Sequence, residues 1–212
     1  MQKMSFHEIY SKYADFDFDR VFGAVSSIDI DRAIDSGERS VKDLIALLSP
    51  AAEGLLEPIA ERSRDLTLKY FGHTIQLYTP MYLSNYCENK CLYCGFNTDN
   101  KIERKSMSLE EVEKEAQFIS GTGLRHILIL TGESRSMSSV SYIRESVKIL
   151  KGYFSSISIE VYPLSESEYL ELILESVDGL TIYQEVYDKQ IYNAMHPLGP
   201  KSDYIFRLDA PE

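Results

Sequence analysis

All three cysteines of this 212-residue chain, Cys87, Cys91 and Cys94, lie within eight residues in the pattern CxxxCxxC. An odd, tightly clustered set is a poor disulfide framework and is more typical of a metal site in a reducing compartment. Three soft thiolates at this spacing can hold three corners of a [4Fe–4S] cube, which leaves the fourth iron open. Structural zinc is the alternative, but it generally needs four protein ligands, and a distant His73 or His126 would have to complete the set.

The cysteines follow the first of four predicted strands, which cover residues 74–84, 126–131, 156–162 and 179–183. Helices are predicted between the strands, and two of them begin with capping boxes, Ser108 with Glu111 and Ser165 with Glu168. This alternation implies parallel strands with right-handed crossovers, and therefore an α/β fold, a partial or full (β/α) barrel of the TIM type. In such barrels the chemistry lies at the carboxyl ends of the strands.

The first ~75 residues have a helical pattern. Helices are predicted around residues 40–48 and 54–70, with a break at Pro50. We therefore divide the chain into an N-terminal helical segment, residues 1–73, and an incomplete barrel with its first four strands, residues 74–212.

Composition excludes several classes of function. A formal charge of −11 would repel phosphate backbones, so we expect no nucleic-acid partner. The N-terminus has no apolar run that resembles a signal peptide, and no stretch approaches the roughly 20 apolar residues that span a bilayer. We therefore expect a soluble, cytoplasmic protein without a membrane partner.

The cysteine motif after the first strand of a (β/α) barrel resembles that of the radical S-adenosylmethionine superfamily. Further segments, in the same order along the chain, are similar to those of its tyrosine-cleaving branch, the 2-iminoacetate synthases (the ThiH family). They include LLSPAA at 47–52, YLSN at 82–85, YCGF at 93–96, LTGE at 130–133, EVYPL at 160–164, GPK at 199–201 and RLDAPE at 207–212.

This resemblance implies that the three cysteines bind a [4Fe–4S] cluster whose fourth iron is chelated by the amino and carboxylate groups of S-adenosylmethionine. It places Tyr93 against the adenine. It also places Glu133 where the cofactor's methionine amino group is received, because an ammonium group needs a charged acceptor. Taken alone, Glu133 is equally well explained as a solvated loop acid.

Other candidate cofactor-binding residues lie further along the chain. Gln184 and Glu185 follow the fourth strand and could reach the barrel mouth. Arg207 could pair with the carboxylate of tyrosine or of the methionine moiety, since a guanidinium binds carboxylates in bidentate fashion. The alternative for each is a surface polar residue in a loop. The four histidines have no ligand-like spacing, and we expect them to be structural or surface residues.

The implied activity is that of a carbon–carbon lyase of thiamine biosynthesis. It cleaves the Cα–Cβ bond of L-tyrosine to give 2-iminoacetate (dehydroglycine) and 4-methylphenol. The implied partners are thiazole synthase of the ThiG type and an electron donor such as flavodoxin or ferredoxin.

The chain departs from that family in length. Because the family's barrel has more than four strands, we expect either a C-terminally truncated chain or a second polypeptide that completes the barrel. A fragment of this kind could bind a cluster without catalysing a reaction.

Two other functions stay open from the sequence. One is that of an iron-hydrogenase maturase, although that activity depends on an additional C-terminal cluster domain and the chain has no cysteine beyond Cys94. The other is that of a non-catalytic metal-binding remnant or scaffold.

Overall fold

A computed structural model describes residues 4–212. Its four strands are β1 (Tyr78–Ser84), β2 (His126–Thr131), β3 (Ser156–Glu160) and β4 (Gly179–Leu180). Short 3₁₀ helices cover Pro50–Leu55 and Pro200–Ser202. The α-helices are α1 (Phe6–Ser11), α2 (Phe18–Gly23), α3 (Ser27–Asp35), α4 (Val41–Leu48), α5 (Leu56–Phe71), α6 (Leu109–Gly121), α7 (Val140–Leu150), α8 (Glu166–Leu174), α9 (Lys189–Met195) and α10 (Tyr204–Asp209).

One compact unit, Tyr10–Gln76, is helical. Its small core consists of Ile30, Ala33, Ala46 and Ala52. The sequence predicts a break at Pro50, and the first 3₁₀ helix begins at this residue, whose fixed φ suits the first position of a helix.

The other compact unit combines the described residues up to Ile9 with Leu77–Glu212 and contains the sheet. The strands pair in the order β1-β2-β3-β4, and every pair is parallel. The capping boxes predicted for α6 and α8 are both present and fix where these helices begin. The prediction of a partial (β/α) barrel preceded by helices is confirmed. The predicted domain boundary between residues 73 and 74 stays a prediction.

The core of this unit lies between the sheet and its helices. In β2, Ile127 and Ile129 are buried and belong to the same cluster as Val112 of α6 and Ile143 of α7. The alternate residues of β2 point to the other face of the sheet, where Leu130 is half-buried and lines a cavity. The continuous apolar run of β2 therefore serves both the helix-covered face and the interior of the partial barrel.

Within residues 4–212, no helix combines the length and the apolar character that a membrane crossing requires.

Candidate functional site

All of the predicted site residues except Gln184 line a cavity of about 260 Å³ at the carboxyl ends of the strands. Each strand contributes to its wall at or just after its last residues, through Tyr82, Thr131, Glu160 and Thr181. The three cysteines line the same cavity. This is the end of a parallel barrel at which loops carry chemistry.

The cysteine loop leaves β1 and brings three free thiols to the wall of this one cavity. Cys91 is 4% exposed, whereas Cys87 and Cys94 are half-buried. Burial raises the pKa of the Cys91 thiol, the charge of Lys201 lowers it, and the neighbouring charges of Cys87 and Cys94 raise it. Positive charge beside the loop therefore favours the Cys91 thiolate, and a bound metal centre would add to the charge that Lys201 supplies.

Arg104 fixes the shape of this loop. Its Nη1 donates to the carbonyl oxygens of Asn85 at 2.6 Å and Phe96 at 2.9 Å. Its Nη2 donates to the carbonyl oxygens of Asn97 at 2.7 Å and Asn100 at 3.4 Å. One planar guanidinium thus joins the start of the loop to the turns that follow Cys94, in the fork geometry that lysine cannot reproduce.

Glu133 follows β2 and is turned toward the cysteine loop. Its Oε2 accepts a hydrogen bond of 2.7 Å from Nδ2 of Asn89. Burial raises the pKa of the Glu133 carboxyl, while the Asn89 hydrogen bond and the charges of Arg207, Lys201 and Arg135 act in the opposite direction. Glu133 is therefore a partly buried acid that lines the cavity, and not the solvated loop acid that the sequence left open as an alternative.

Tyr93 also lines the cavity, and His196 holds its phenol group. The Tyr93 hydroxyl lies 2.7 Å from Nε2 of His196, and Nδ1 of the same ring lies 2.7 Å from the carbonyl oxygen of Tyr192. Because a carbonyl only accepts, Nδ1 carries the proton and Nε2 accepts from the phenol. Burial lowers the pKa of His196, which keeps the ring neutral. The expectation of a structural histidine fits this buried position.

Lys201 and Glu185 form an ion pair of 2.7 Å beside Tyr93. Burial alone would raise the pKa of Glu185, but the hydrogen bond and charge of Lys201 outweigh it and lower that pKa. Glu185 has φ +70°, the left-handed region that non-glycine residues rarely adopt. Such backbone strain is typical of positions that the surrounding structure holds in place for a function.

Arg207 lies in helix α10 and is 8% exposed, so it is not the surface loop residue that the sequence left as the alternative. Its Nε donates to the carbonyl oxygen of Tyr183 at 2.8 Å. The residue lines the site cavity and two neighbouring cavities, so its guanidinium stands beside Glu133 and Lys201 at the mouth of the partial barrel.

Gln184 differs from the other predicted residues because it lines a neighbouring cavity of about 290 Å³, shared with Arg207. Both polar atoms of its side-chain amide are buried, and neither has a hydrogen-bond partner among the described residues. Its assignment to the cofactor stays a prediction.

Sequence reasoning overlooked three residues that the fold brings to the site, Asn89, Lys201 and Glu160. Asn89 stands in the spacer between the first two cysteines, and Lys201 stands in the GPK segment. Burial, followed by the nearby Glu185 charge, raises the pKa of Glu160. The signal in the sequence that could have found these residues is that they lie within the motif segments, the cysteine spacer for Asn89 and GPK for Lys201.

A larger apolar groove of about 1070 Å³ runs beside β4, α8 and the last residues of the chain. Leu172, Ile173, Leu180 and Phe206 are among the residues that line it. The groove holds none of the cysteines, so we assign the chemistry to the smaller cavity.

The residues present fit an iron–sulfur cluster by their donor chemistry. Each cysteine of a [4Fe–4S] cube binds a different iron, and three thiols facing one cavity meet that requirement. Among residues 4–212, no three thiol, imidazole or carboxylate groups converge on the position of a single metal ion.

Comparison with known proteins identifies the family. The model of the Radical SAM superfamily matches residues 81–208, so the chain belongs to the radical S-adenosylmethionine superfamily. Its members use a [4Fe–4S] cluster and S-adenosylmethionine, and act on a substrate with the help of an electron donor.

Particular relatives narrow the comparison. The chain is 41% identical over 187 residues to the 2-iminoacetate synthase of Salmonella typhimurium (strain LT2), covering 88% of this chain and 50% of that protein. It is 40% identical over 187 residues to the 2-iminoacetate synthase of Escherichia coli (strain K12), with the same coverage. The chain therefore spans about half the length of these curated relatives.

The fold is also similar to a crystal structure of HydG, a maturase of the [FeFe]-hydrogenase. The TM-score is 0.85 at 25% identity, over 93% of this chain and 46% of that one.

Proposed function

We propose that this chain carries the cofactor-binding half of a radical S-adenosylmethionine tyrosine lyase of the 2-iminoacetate synthase type. The reaction is cleavage of the Cα–Cβ bond of L-tyrosine to 2-iminoacetate and 4-methylphenol, for the thiazole of thiamine. The observation that carries the proposal is the convergence of three free thiols, Glu133 and Tyr93 on one cavity, in a chain 41% identical to such a synthase.

Each residue has a role in this proposal. Cys87, Cys91 and Cys94 bind three irons of the cluster. Tyr93, held by His196, presents its ring to the adenine, and Glu133 accepts the ammonium group of the cofactor's methionine moiety. When bound, the cluster would supply the single electron that cleaves S-adenosylmethionine, and with it the radical chemistry that acts on tyrosine.

Two basic side chains complete the mouth of the cavity. Glu185 neutralises Lys201 at 2.7 Å. Among the described residues, the guanidinium of Arg207 donates one hydrogen bond, from Nε to a backbone carbonyl oxygen. Arg207 is therefore the better group to bind a carboxylate, from tyrosine or from the methionine moiety. Gln184, beside Arg207, is a further candidate, since a ligand would satisfy its buried amide.

The proposed partners follow from this chemistry. The product 2-iminoacetate would pass to a thiazole synthase of the ThiG type. The cluster would receive its electron from a flavodoxin or ferredoxin.

A hydrogenase-maturase activity has less support. The likeness to HydG is strong in fold but reaches 25% in sequence identity, against 41% for the synthase of Salmonella typhimurium. A zinc-binding remnant is the other alternative, and metal analysis separates it from the cluster: iron and sulfide in about a 4:4 ratio support the cluster, whereas one zinc supports the remnant.

The test is anaerobic reconstitution with iron and sulfide, followed by S-adenosylmethionine, dithionite and L-tyrosine, with the products measured by chromatography. We expect 5′-deoxyadenosine together with 4-methylphenol. Deoxyadenosine alone would assign cofactor cleavage to this chain and tyrosine binding to residues outside it. An intact cluster that yields neither product, also after the rest of the barrel is supplied, would refute the proposal.

A further inference from the structure

Asn89 lies at the junction of three segments that build the site. It stands in the spacer between Cys87 and Cys91 and is 2% exposed. Its side chain contacts the cysteine loop, the residue that follows Gly132 after β2, and the turn at residues 199–201. The three segments are distant in sequence, and this one amide contacts all of them.

Every polar atom of the Asn89 amide is used. Nδ2 donates to Oε2 of Glu133 at 2.7 Å and lies 3.6 Å from Sγ of Cys87. Oδ1 accepts from the backbone N–H of Lys201 at 2.8 Å. Because a carboxylate only accepts and an N–H only donates, the orientation of the amide is determined by its partners.

The backbone around Asn89 is held as tightly as its side chain. Its carbonyl oxygen accepts from Thr98 N–H at 2.9 Å. On the other side Gly199 approaches so closely that a Cβ there would lie 2.4 Å from Oδ1 and 2.7 Å from Cα of Asn89. Gly199 also has φ +99°, so both its conformation and the available space require glycine.

The contact with Glu133 has a directional consequence. A glutamate side chain has three rotatable bonds, and an unheld carboxylate would turn toward water. Asn89 engages Oε2 and so holds the group at the cavity, which leaves Oε1 for a ligand. The same amide lies next to Cys87, so the carboxylate and the first cysteine stay in a fixed relation.

We propose that Asn89 is a positioning residue that holds the Glu133 carboxylate toward the cysteine loop, where it receives the ammonium group of S-adenosylmethionine. This inference rests on the proposed function, because it takes Glu133 as the ammonium acceptor. Asn89 itself acts through Glu133 and needs no contact with the ligand.

The test compares the affinity of the reconstituted 212-residue chain for two probes by anaerobic calorimetry. One probe is S-adenosylmethionine, and the other is 5′-methylthioadenosine, which lacks the amino-acid part. In Asn89→Leu, which has nearly the same shape but no donor, we expect S-adenosylmethionine to bind about tenfold more weakly, the usual effect of losing one hydrogen bond to a charged group. The affinity for 5′-methylthioadenosine should stay the same.

Asn85 provides the matched control. It lies in the same loop and also uses both ends of its amide, but on backbone groups of Glu103 and Lys105. Asn85→Leu should weaken the loop without changing the ratio of the two affinities. Iron content per chain normalises all of the measurements. If Asn89→Leu does not load iron, Asn89→Ser, which has a smaller side chain, replaces it in the same comparison.

A double-mutant cycle separates positioning from general loosening of the loop. In a Glu133→Gln background the effect of Asn89→Leu should disappear, since the residue acts through Glu133. If the losses of affinity from the two substitutions add, or if an Asn89 variant binds S-adenosylmethionine as wild type does, this inference is wrong but the proposed function still stands. A wild-type chain that binds iron but not S-adenosylmethionine would overturn the proposed function, and this inference with it.

Discussion

Gly132 offers the sharpest test of how the strand ends position the cysteine loop. It lies between β2 and Glu133, and its N–H donates to the carbonyl oxygen of Ser84 at 2.8 Å. A Cβ added here would lie 2.2 Å from the carbonyl oxygen of Tyr86 and 3.2 Å from Cβ of Cys87. The φ of Gly132 is not in the left-handed region, so space alone opposes the substitution.

The size of the effect follows from these distances. In Gly132→Ala the Tyr86 carbonyl must recede by at least about 0.8 Å to reach 3.0 Å, the lower limit of real Cβ contacts. The obstacle is backbone, which cannot rotate away, and Cys87 is the next residue. Overpacking of this kind costs about 1–3 kcal/mol. For a chain of this length that corresponds to a melting temperature lower by about 2–12 °C.

The assay has two parts. Circular dichroism monitors the thermal unfolding of the metal-free chain, and elemental analysis measures iron and sulfide after reconstitution. Gly95→Ala is the control, because Gly95 lies in the same loop and a Cβ there has no neighbour within 4 Å. We expect Gly132→Ala to melt lower and to load less iron, while Gly95→Ala stays close to wild type. Equal melting temperatures and full iron in both variants would refute the reasoning.

Three further predictions concern the cysteines, the loop and an ion pair. Replacing any one of the three cysteines with serine should reduce bound iron far below wild type in elemental analysis, and full iron in such a variant would rule out that ligand. Arg104→Lys should lose about two hydrogen bonds, or about 2–3 kcal/mol, and speed hydrogen exchange in the cysteine loop, whereas unchanged exchange would contradict the bracing role. The hydrogen bonds that Glu168 accepts from Arg135 lower the pKa of its carboxyl group from the ordinary 4.5 to about 2. The ionised carboxylate therefore contributes to the free energy of unfolding above pH 4.5, and this contribution is lost as the pH falls toward 2. The stability advantage of wild type over Glu168→Gln in urea should therefore shrink across that range, and an advantage independent of pH would contradict it.

Much of the fold could be predicted because its signals are local. The bounds of β2 match the predicted residues 126–131, since an unbroken apolar run identifies a strand without knowledge of its neighbours. The capping boxes at Ser108 and Ser165 lie within four residues of sequence and form as predicted. Residues 179–183 were expected to form a strand, but only Gly179–Leu180 pairs with β3, because pairing depends on a partner strand and not on composition.

The sequence alone determined the kind of chemistry, because a ligand set of three cysteines is defined by residue type and spacing along one loop. Only the tertiary structure decided which other groups meet that loop. Asn89 and Glu133 are 44 positions apart, and Tyr93 and His196 are 103 apart. No local pattern specifies such contacts, since they arise only when parallel strands bring their carboxyl ends to one edge and the connecting loops fold over it.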